Sequence, residues 1–314
     1  MSVAKKHHYV PQAYLRFFAI KVNSQYKLHV FDKSSCKQYI ANIIDVAQKN
    51  NYNKVENSRF CAKPPMNDPL YYESKYSRII EEKMPRIINN IVSTCLLTNN
   101  NSTVLTPKIK YELAKLIVVQ LLRTPSARQS TFDLGLPVCE KIISETRKHI
   151  RKITSTQKKE EYNDVLDSFE YSKDVSNSFH LLITTDEERI NSFSKVLIKN
   201  RAWVIYENKQ CKVNPFVTSD TPVTMYDFQT GKCGISGNGL DKITTIISMP
   251  LTPKYLVALY HKNTVWGKIS ESYEDICIQI DEDRFITNQN LLQFKQSYRQ
   301  IYTNGAINYY GGEM

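Results

Sequence analysis

The segment HHYVPQAYLRFF, residues 7–18, places two adjacent histidines close to the start of the sequence. Histidine is the side chain best suited to proton transfer near neutral pH, and it is also a common metal ligand. If the backbone is extended here, His7 and His8 point to opposite faces, so that one faces a site while the other packs or faces solvent. The alternative is an edge strand whose histidines make ordinary hydrogen bonds, and physical chemistry alone favours it.

A second polar pair lies inside the apolar run LIVVQLLRT, residues 116–124. The run is apolar nearly all round, which predicts a buried helix. The Gln120 amide therefore needs a partner, and leaving it without one would cost about 1–3 kcal/mol. Arg123 follows at i+3, so both side chains can point into one polar pocket. The alternative is a network at the helix end that caps the turn at Pro125.

A carboxylate follows an apolar strand in FVTSDTPV, residues 216–223. Asp220 at a strand end could act as a general base, a metal ligand or a group that orients a histidine. The alternative is an Asx-turn, in which the carboxylate accepts hydrogen bonds from nearby backbone N–H groups. No GxxxxGK[ST], GxGxxG, HExxH or GxSxG motif occurs, so NTPase, Rossmann, zincin and α/β-hydrolase functions lack support.

Helical patterns dominate the first two thirds of the sequence. We expect a short helix over 11–19, where Gln12 and Arg16 share one face, and a longer one over 72–97 that Pro85 kinks or divides. The clearest helix starts after Thr106 and ends at Pro125. Further helices are predicted over 136–153, 157–169 and 176–183, and from 184 onwards. An earlier stretch, 26–41, predicts a β-hairpin.

After residue 200 the sequence changes to short β-branched and aromatic runs separated by turn residues. A final helix over about 282–298 precedes a closing strand in RQIYTN. The order of short β/α start, helical middle and mainly antiparallel β-rich end predicts an α+β fold. We expect a single domain over 1–314, with a helical subregion at about 72–199 and a β-rich subregion at about 200–310.

The charge distribution favours a polyanionic partner. The sequence has 42 basic and 31 acidic residues, a net charge of +11. Residues 1–40 and 141–159 each hold seven Lys or Arg and one acidic residue, and such clusters favour nucleic acid, although a solvated basic surface is the alternative. The seven cysteines lack metal or disulfide spacing. No apolar run approaches the roughly 18 residues of a membrane span, so we expect no membrane partner and a cytoplasmic location.

Several of these segments together resemble an uncharacterised, largely bacterial family named for its HHYVP motif. The matching segments in chain order are HHYVPQAYLRFF, ESKYSRIIEE, VVQLLRTP, VTSDTPV, MPLTP and TNQNLLQFKQSYRQIY. The match is ordered and spans nearly the whole sequence. The resemblance carries no known activity, but it implies that one pocket gathers the polar residues of these motifs. These are His7, His8, Tyr9, Gln12, Gln120, Arg123, Asp220 and one of Asn288 and Asn290.

Two functions fit such a pocket. The first is a nuclease or phosphodiesterase in a bacterial defence-like context, with a histidine as acid or base. Asp220 and Glu81 would then hold Mg²⁺ or Mn²⁺ or orient the histidine, while Gln120 and Arg123 grip phosphate or a base edge. The second is a non-catalytic sensor or accessory protein that binds a nucleotide, a peptide or a nucleic acid. A third possibility is that these motifs specify only the fold. The sequence leaves the oligomeric state open.

Overall fold

The computed structural model describes residues 6–56, 59–62, 64, 68, 70–97 and 102–305. Its helices are α1 (Gln12–Leu15), α2 (Tyr71–Tyr76), α3 (Met84–Leu97), α4 (Pro107–Leu122), α5 (Pro125–Arg151), α6 (Thr156–Asp167), α7 (Lys173–Thr184), α8 (Glu187–Asn200), α9 (Val265–Glu271) and α10 (Asp283–Gln296). Its strands are β1 (Lys6–His8), β2 (Ile20–Val22), β3 (Gln25–Asp32), β4 (Lys37–Asn42), β5 (Gln48–Asn50), β6 (Arg201–Asn208), β7 (Thr218–Ser219), β8 (Thr224–Asp227), β9 (Thr245–Pro250), β10 (Tyr255–His261), β11 (Cys277–Ile280) and β12 (Gln300–Thr303).

Two five-stranded sheets and one two-stranded sheet organise the described strands. One sheet has the order β11-β6-β10-β9-β8 and is antiparallel except for the β11–β6 pair. The second has the order β2-β3-β12-β7, with β4 paired to β3. In it the predicted hairpin is joined to the closing strand, because β12 lies between β3 and β7. The α+β fold expected from the sequence is confirmed, although positions 306–310 of the expected β-rich subregion lie outside the described residues.

Helix α4 follows the local signals of its sequence closely. The Thr106 hydroxyl accepts a hydrogen bond from the Ile109 N–H at 3.4 Å, and Pro107 occupies the first turn. Such a cap satisfies an otherwise unpaired backbone donor, and proline loses nothing at that position. The helix packs against α8 and buries apolar side chains around its circumference. It therefore forms a rigid central element that carries Gln120 and ends at Arg123.

The helix predicted over 72–97 is divided into three parts. Helix α2 runs directly into a π-helical turn, Ser77–Glu81, before α3 begins at Met84. Pro85 therefore lies in the first turn of α3, where its missing N–H breaks no helical hydrogen bond. The division expected at Pro85 is confirmed, and the π-helical turn just before it was not foreseen.

Helix α5 corrects one expected boundary. The sequence predicts a helix over 136–153, yet α5 already begins at Pro125 and contains Pro137 in its interior. The Thr124 hydroxyl accepts a hydrogen bond from the Ala127 N–H at 3.3 Å, so the same Thr-Pro pair that ends α4 also starts α5. Helix α6 buries none of its residues and packs mainly on α5, which leaves both helices largely exposed to solvent.

The first residues of the described chain are part of the core. Tyr14 and Phe18 are fully buried and Phe17 is half-buried, as the apolar stripe of α1 and the 3-10 turn after it predicts. The Tyr14 hydroxyl donates to the Pro250 carbonyl at 2.6 Å and lies 2.8 Å from Thr218 Oγ1. These bonds fix the start of the chain to β7 and β9, more than 200 residues later. No helix among the described residues is long and apolar enough to cross a membrane.

Candidate functional site

Strand β1 carries both histidines into the interior. It pairs antiparallel with β5, where His7 lies opposite Lys49 and His8 opposite Gln48. Successive side chains of a strand point to opposite faces, so the two imidazoles meet different surroundings. Both are buried, with exposed fractions of 1% for His7 and 8% for His8. The N-terminal segment is thus ordered, and each histidine must be considered separately.

His7 lies in a hydrogen-bonded polar cluster. Its Nδ1 accepts a hydrogen bond from the Asn53 backbone N–H at 2.9 Å and lies 3.8 Å from Glu73 Oε2. The Asn53 side chain donates to Glu73 and accepts from Arg128, whose guanidinium stacks 3.4 Å from the centre of the Tyr52 ring. These contacts occupy the lone pair of His7 Nδ1, so this nitrogen stabilises the fold and is not available to accept a proton.

His8 has a ring nitrogen without a partner. Burial lowers the pKa of His8 below its ordinary value of 6.5, Glu81 and a hydrogen bond with the Ile44 backbone raise it, and Arg123 lowers it again. The ring is therefore neutral at pH 7. In the described part of the chain its buried Nε2 forms no hydrogen bond. A neutral imidazole with an available nitrogen can accept a proton, which is the property that a general base needs.

Arg123 lies beside His8 at the end of α4. Its Nη2 donates to the His8 carbonyl and, at 3.1 Å, to Glu81 Oε1, while its guanidinium lies 4.8 Å from the centre of the Tyr76 ring. The side chain is 1% exposed, yet Nε and Nη1 have no hydrogen-bond partner among the described residues. Buried donors of this kind are costly, and an anionic ligand is one physical reason to keep them.

The π-helical turn brings Glu81 to the rim of this cluster. The Glu82 N–H donates to the Ser77 carbonyl at 3.2 Å, the i→i+5 bond that defines such a turn. The Glu81 side chain remains 29% exposed while its carboxylate pairs with Arg123. The Glu81 carboxylate therefore accepts a hydrogen bond from one donor of the buried Arg123. It is the more exposed partner of this pair and lies towards solvent. Turns of this type are frequent at functional sites.

Gln120 and Arg123 share a task that their spacing predicts. The Gln120 Nε2 donates to the Tyr9 carbonyl at 3.0 Å, just as Arg123 donates to the carbonyl of the preceding residue. Gln120 Oε1 has no partner in the described structure, and the Tyr9 ring lies 5.5 Å from the Tyr52 ring. One turn of α4 therefore holds the opening motif in place through its backbone. The opening motif and the end of α4, which the resemblance assigns to one pocket, are in direct contact.

Asp220 makes a different set of contacts. Its Oδ1 accepts from the Tyr298 N–H at 2.7 Å, and its Oδ2 accepts from the Arg299 and Gln300 N–H groups at 2.7 and 2.8 Å. Burial raises the pKa of this carboxyl to about 6, although the three donors lower it. Among the described residues, no histidine donates a hydrogen bond to these oxygens. This arrangement is the backbone-binding alternative, with the bound N–H groups supplied from a distant loop.

The remaining predicted residues lie at the surface or in local networks. Gln12 is half-buried on α1, and the exposed Arg16 lies 5.4 Å from the centre of the Tyr26 ring. Asn288 is exposed on α10. Asn290 accepts from the Val217 N–H at 3.0 Å and donates to the Pro215 carbonyl at 2.9 Å, which ties α10 to the segment before β7.

The predicted Mg²⁺ or Mn²⁺ site does not fit the contacts of its two carboxylates. Asp220 is surrounded by backbone N–H donors, and Glu81 faces the guanidinium of Arg123. Both environments favour anions over cations. Within the described residues, no group of three or more His, Cys, Asp and Glu side chains is placed to hold a metal ion. The arrangement of His8, Arg123 and Glu81 instead suits an anionic ligand and proton transfer.

Sequence reasoning missed the residues that line the back of the cluster. Arg128, Tyr52 and Asn53 lie in no recognisable motif, and only the structure brings them together with His7. For Glu73 the sequence offered one indication of a place near the site, because Glu73 lies in the same predicted helix as Glu81. The pairing with His7 itself depends on contacts across about 66 positions of sequence, which no local pattern reveals.

His180 on α7 supports this cluster from behind and leads to a first prediction. Its Nε2 lies 2.9 Å from the Leu122 carbonyl, and burial, followed by the charge of Arg128, lowers its pKa to about 3. The unfolded chain binds a proton at His180 below about pH 6.5, whereas the folded chain does not until about pH 3. We expect His180 alone to reduce the free energy of unfolding by about 2 kcal/mol between pH 7 and pH 5.

Urea unfolding at both pH values measures this loss, and the His180→Gln variant isolates it. The wild-type protein should lose about 2 kcal/mol more than the variant over the same interval, since the other titrating groups are common to both. Parallel pH dependence in the two proteins would show that His180 is not held neutral.

Comparison with known families places the chain. No curated protein and no solved structure shows significant similarity to it. The model of one family, described as "Protein of unknown function (DUF4238)", matches residues 6–306 and therefore spans β1, the cluster around His8 and β12. The chain belongs to this DUF4238 family of proteins of unknown function.

Proposed function

We propose that the protein hydrolyses phosphodiester bonds of nucleic acid at the site formed by His8, Arg123 and Glu81. The observation that carries this proposal is the juxtaposition of two unsatisfied buried groups. Burial lowers the pKa of His8 and its Nε2 has no hydrogen-bond partner in the described structure, while Arg123, which donates to the backbone carbonyl of His8, keeps Nε and Nη1 unpaired there. A base next to an anion-binding guanidinium is the minimal equipment for this reaction.

The reaction follows from the properties of these groups. The His8 Nε2 accepts a proton from a water molecule as the water oxygen forms a bond to phosphorus. The bond between phosphorus and the leaving oxygen breaks, and the protonated imidazole returns its proton to that oxygen. Arg123 stabilises the charge that develops on the phosphoryl oxygens. Glu81 favours the protonated form of His8, because its negative charge raises the pKa of the imidazole.

Glu81 also marks the route by which a phosphate would enter. Its carboxylate lies 3.1 Å from Arg123 Nη2, where an anionic substrate group would bind, and it is partly exposed. The substrate phosphate would displace this carboxylate from the guanidinium, at the cost of moving one side chain on the π-helical turn. This exchange replaces one charge-assisted hydrogen bond with another of similar strength.

The electrostatics of the chain support a polyanionic substrate. The net charge is +11, and the basic segment 141–159, which runs from the end of α5 into the start of α6, is largely exposed. Positive surfaces of this kind attract nucleic acid and accelerate encounter with it. A cytoplasmic location in a bacterial cell and a role in defence against foreign nucleic acid form part of the same proposal.

Direct assay of turnover tests the proposal. The purified protein is incubated with end-labelled single- and double-stranded DNA and RNA, in EDTA and with added Mg²⁺ or Mn²⁺. We expect cleavage of at least one substrate by the wild-type protein, and none above background by a His8→Gln variant purified in parallel, which controls for contaminating nucleases. Absence of cleavage in every arm, or equal cleavage by both preparations, contradicts the proposal.

A ligand-binding sensor is the second candidate, and the depth of the cluster favours it. His7, Arg123 and Arg128 are each at most 6% exposed, which suits a small ligand better than a polymer. Thermal unfolding in the presence of nucleotides distinguishes the two functions. A nucleotide that raises the melting temperature and is recovered unchanged after prolonged incubation supports the sensor.

A further inference from the structure

A basic groove lies on the outer side of the segment that carries Glu81. It is open to solvent, has a volume of about 180 Å³ and is bounded by α2, the π-helical turn, α4 and α8. Its lining contains Lys75, Arg78, Lys83 and Lys115, with Glu187 as its one carboxylate. The net charge of the lining is therefore +3, four cations minus one anion.

The helical pattern explains why two faces of one segment differ so strongly. Glu73, Tyr76 and Glu81 point inward to the histidines and arginines described above. Lys75 and Arg78, together with the residues that follow the turn, point outward into the groove. Helix α8 packs against α4 and supplies Ile190 as part of the floor, so the groove is built on rigid elements.

The groove cations form no ion pair within the part of the chain that the structure describes. None of the four lies within 4.0 Å of a described carboxylate oxygen. Lys75 Nζ donates to the Thr185 carbonyl at 3.2 Å, and Lys115 Nζ lies 4.6 Å from the centre of the Tyr111 ring, both neutral partners. By contrast Arg86, on α3 just beyond the groove, forms two hydrogen bonds with Glu112 at 3.1 and 3.2 Å.

We infer that this groove binds phosphate groups of a nucleotide or of a nucleic-acid strand. The four cations come from α2, the π-helical turn, the link that precedes α3, and α4, and they surround one concave surface. Such a surface suits phosphate, which Arg and Lys bind through charge-assisted hydrogen bonds. Arg78 and Lys83 are exposed and available for such contacts. The inference rests on the proposed function for its biological meaning, since it supplies the surface that would hold a substrate beside Glu81. Binding itself is independent of catalysis.

Fluorescence anisotropy tests the groove with fluorescein-labelled single-stranded 20-mers of DNA and RNA. The groove variant is Arg78→Gln/Lys83→Gln, and the control is Lys199→Gln/Lys268→Gln, which removes the same charge from exposed positions elsewhere. We expect the groove variant to weaken binding at least tenfold and to reduce the slope of log Kd against log salt by about 1.4, or about 0.7 for each lost charge on a single strand. The control should change Kd less than twofold. Unchanged melting temperatures establish that both variants fold.

Competition identifies the source of the phosphate. Displacement of the 20-mer by a mononucleotide at micromolar concentration assigns the groove to free nucleotides, and displacement by unlabelled strands alone assigns it to a nucleic-acid chain. Equal affinities for the groove and control variants, or no binding by the wild type, overturns the inference. A binding defect in the groove variant without any turnover by the wild type retains the groove and rejects the hydrolase. Turnover by the wild type, together with equal affinities of the groove and control variants, retains the hydrolase and rejects the groove.

Discussion

The His8→Gln variant is expected to fold and to cleave its substrate about 10²–10⁴-fold more slowly than the wild type, the usual contribution of a general base. Glutamine is close in size to histidine and can retain a hydrogen bond to the Ile44 backbone, but its amide cannot accept a proton at neutral pH. The loss should appear in kcat, because the proton moves only in the transition state.

The pH dependence gives a second measure of the same role. Burial lowers the pKa of His8 below 6.5, so the basic form predominates at pH 7. The wild-type rate is therefore expected to be level near pH 8 and to fall as the pH decreases through the lowered pKa of His8. Initial rates between pH 4.5 and pH 8 measure this limb, and the limb should be absent from the residual activity of the variant.

The neighbouring histidine provides a matched control. His7 has its Nδ1 occupied by the Asn53 N–H, and a glutamine oxygen can accept the same bond. The His7→Gln variant is expected to keep activity within a few-fold of the wild type. If both variants lose activity equally, the loss comes from damage to the shared strand β1, and His8 has no special part in it. Circular dichroism and melting temperatures of the two variants check that strand independently.

Local signals determined the parts of the fold that the sequence predicted well. The start of α4 depends on Thr106 and Pro107, and the hairpin of β3 and β4 on adjacent β-rich runs, so both were predictable. Helix α5 was placed too late because Pro125 was interpreted only as the end of α4. Proline also begins helices, and the Thr124 cap that accompanies it is equally local.

The sequence predicted which residues belong to the candidate site better than it predicted how they contact one another. The spacing of Gln120 and Arg123 places both on one side of α4, and this much follows from helix geometry. Their acceptors are the carbonyls of Tyr9 and His8, more than 100 residues earlier, which no periodicity indicates. The π-helical turn that directs Glu81 to Arg123 is equally non-local, since the sequence around it reads as an ordinary helix.

Asp220 shows how one local sequence supports two roles. A Ser-Asp-Thr-Pro turn after a strand suits a catalytic carboxylate and a backbone-binding one equally well. Only the position of 298–300 distinguishes them, because those residues bring three N–H groups to the carboxylate. The strand that follows, β12, lies between β3 and β7. Asp220 therefore binds the segment that leads into the strand between the N-terminal hairpin and β7.

The Asp220→Ala variant is therefore expected to lose about 3–5 kcal/mol of unfolding free energy at pH 7. The substitution leaves three backbone donors beside a fully buried position without their acceptor, and each such loss costs about 1–3 kcal/mol before the loop relaxes. Asp220→Asn keeps one acceptor oxygen but turns an amide donor towards an N–H group, so its loss should be intermediate. Urea unfolding monitored by tyrosine and tryptophan fluorescence measures both changes.

Activity per folded molecule separates this structural role from a catalytic one. If Asp220 acts by ordering 298–300, the Asp220→Asn variant assayed at a temperature where it remains folded should keep activity within a few-fold of the wild type. The hydrogen bonds of this carboxylate go to backbone N–H groups, so we expect its charge to be dispensable once that loop is in place. A folded Asp220→Asn protein with a more than 100-fold lower rate would instead assign the carboxylate to the chemistry, as the strand-end position first suggested.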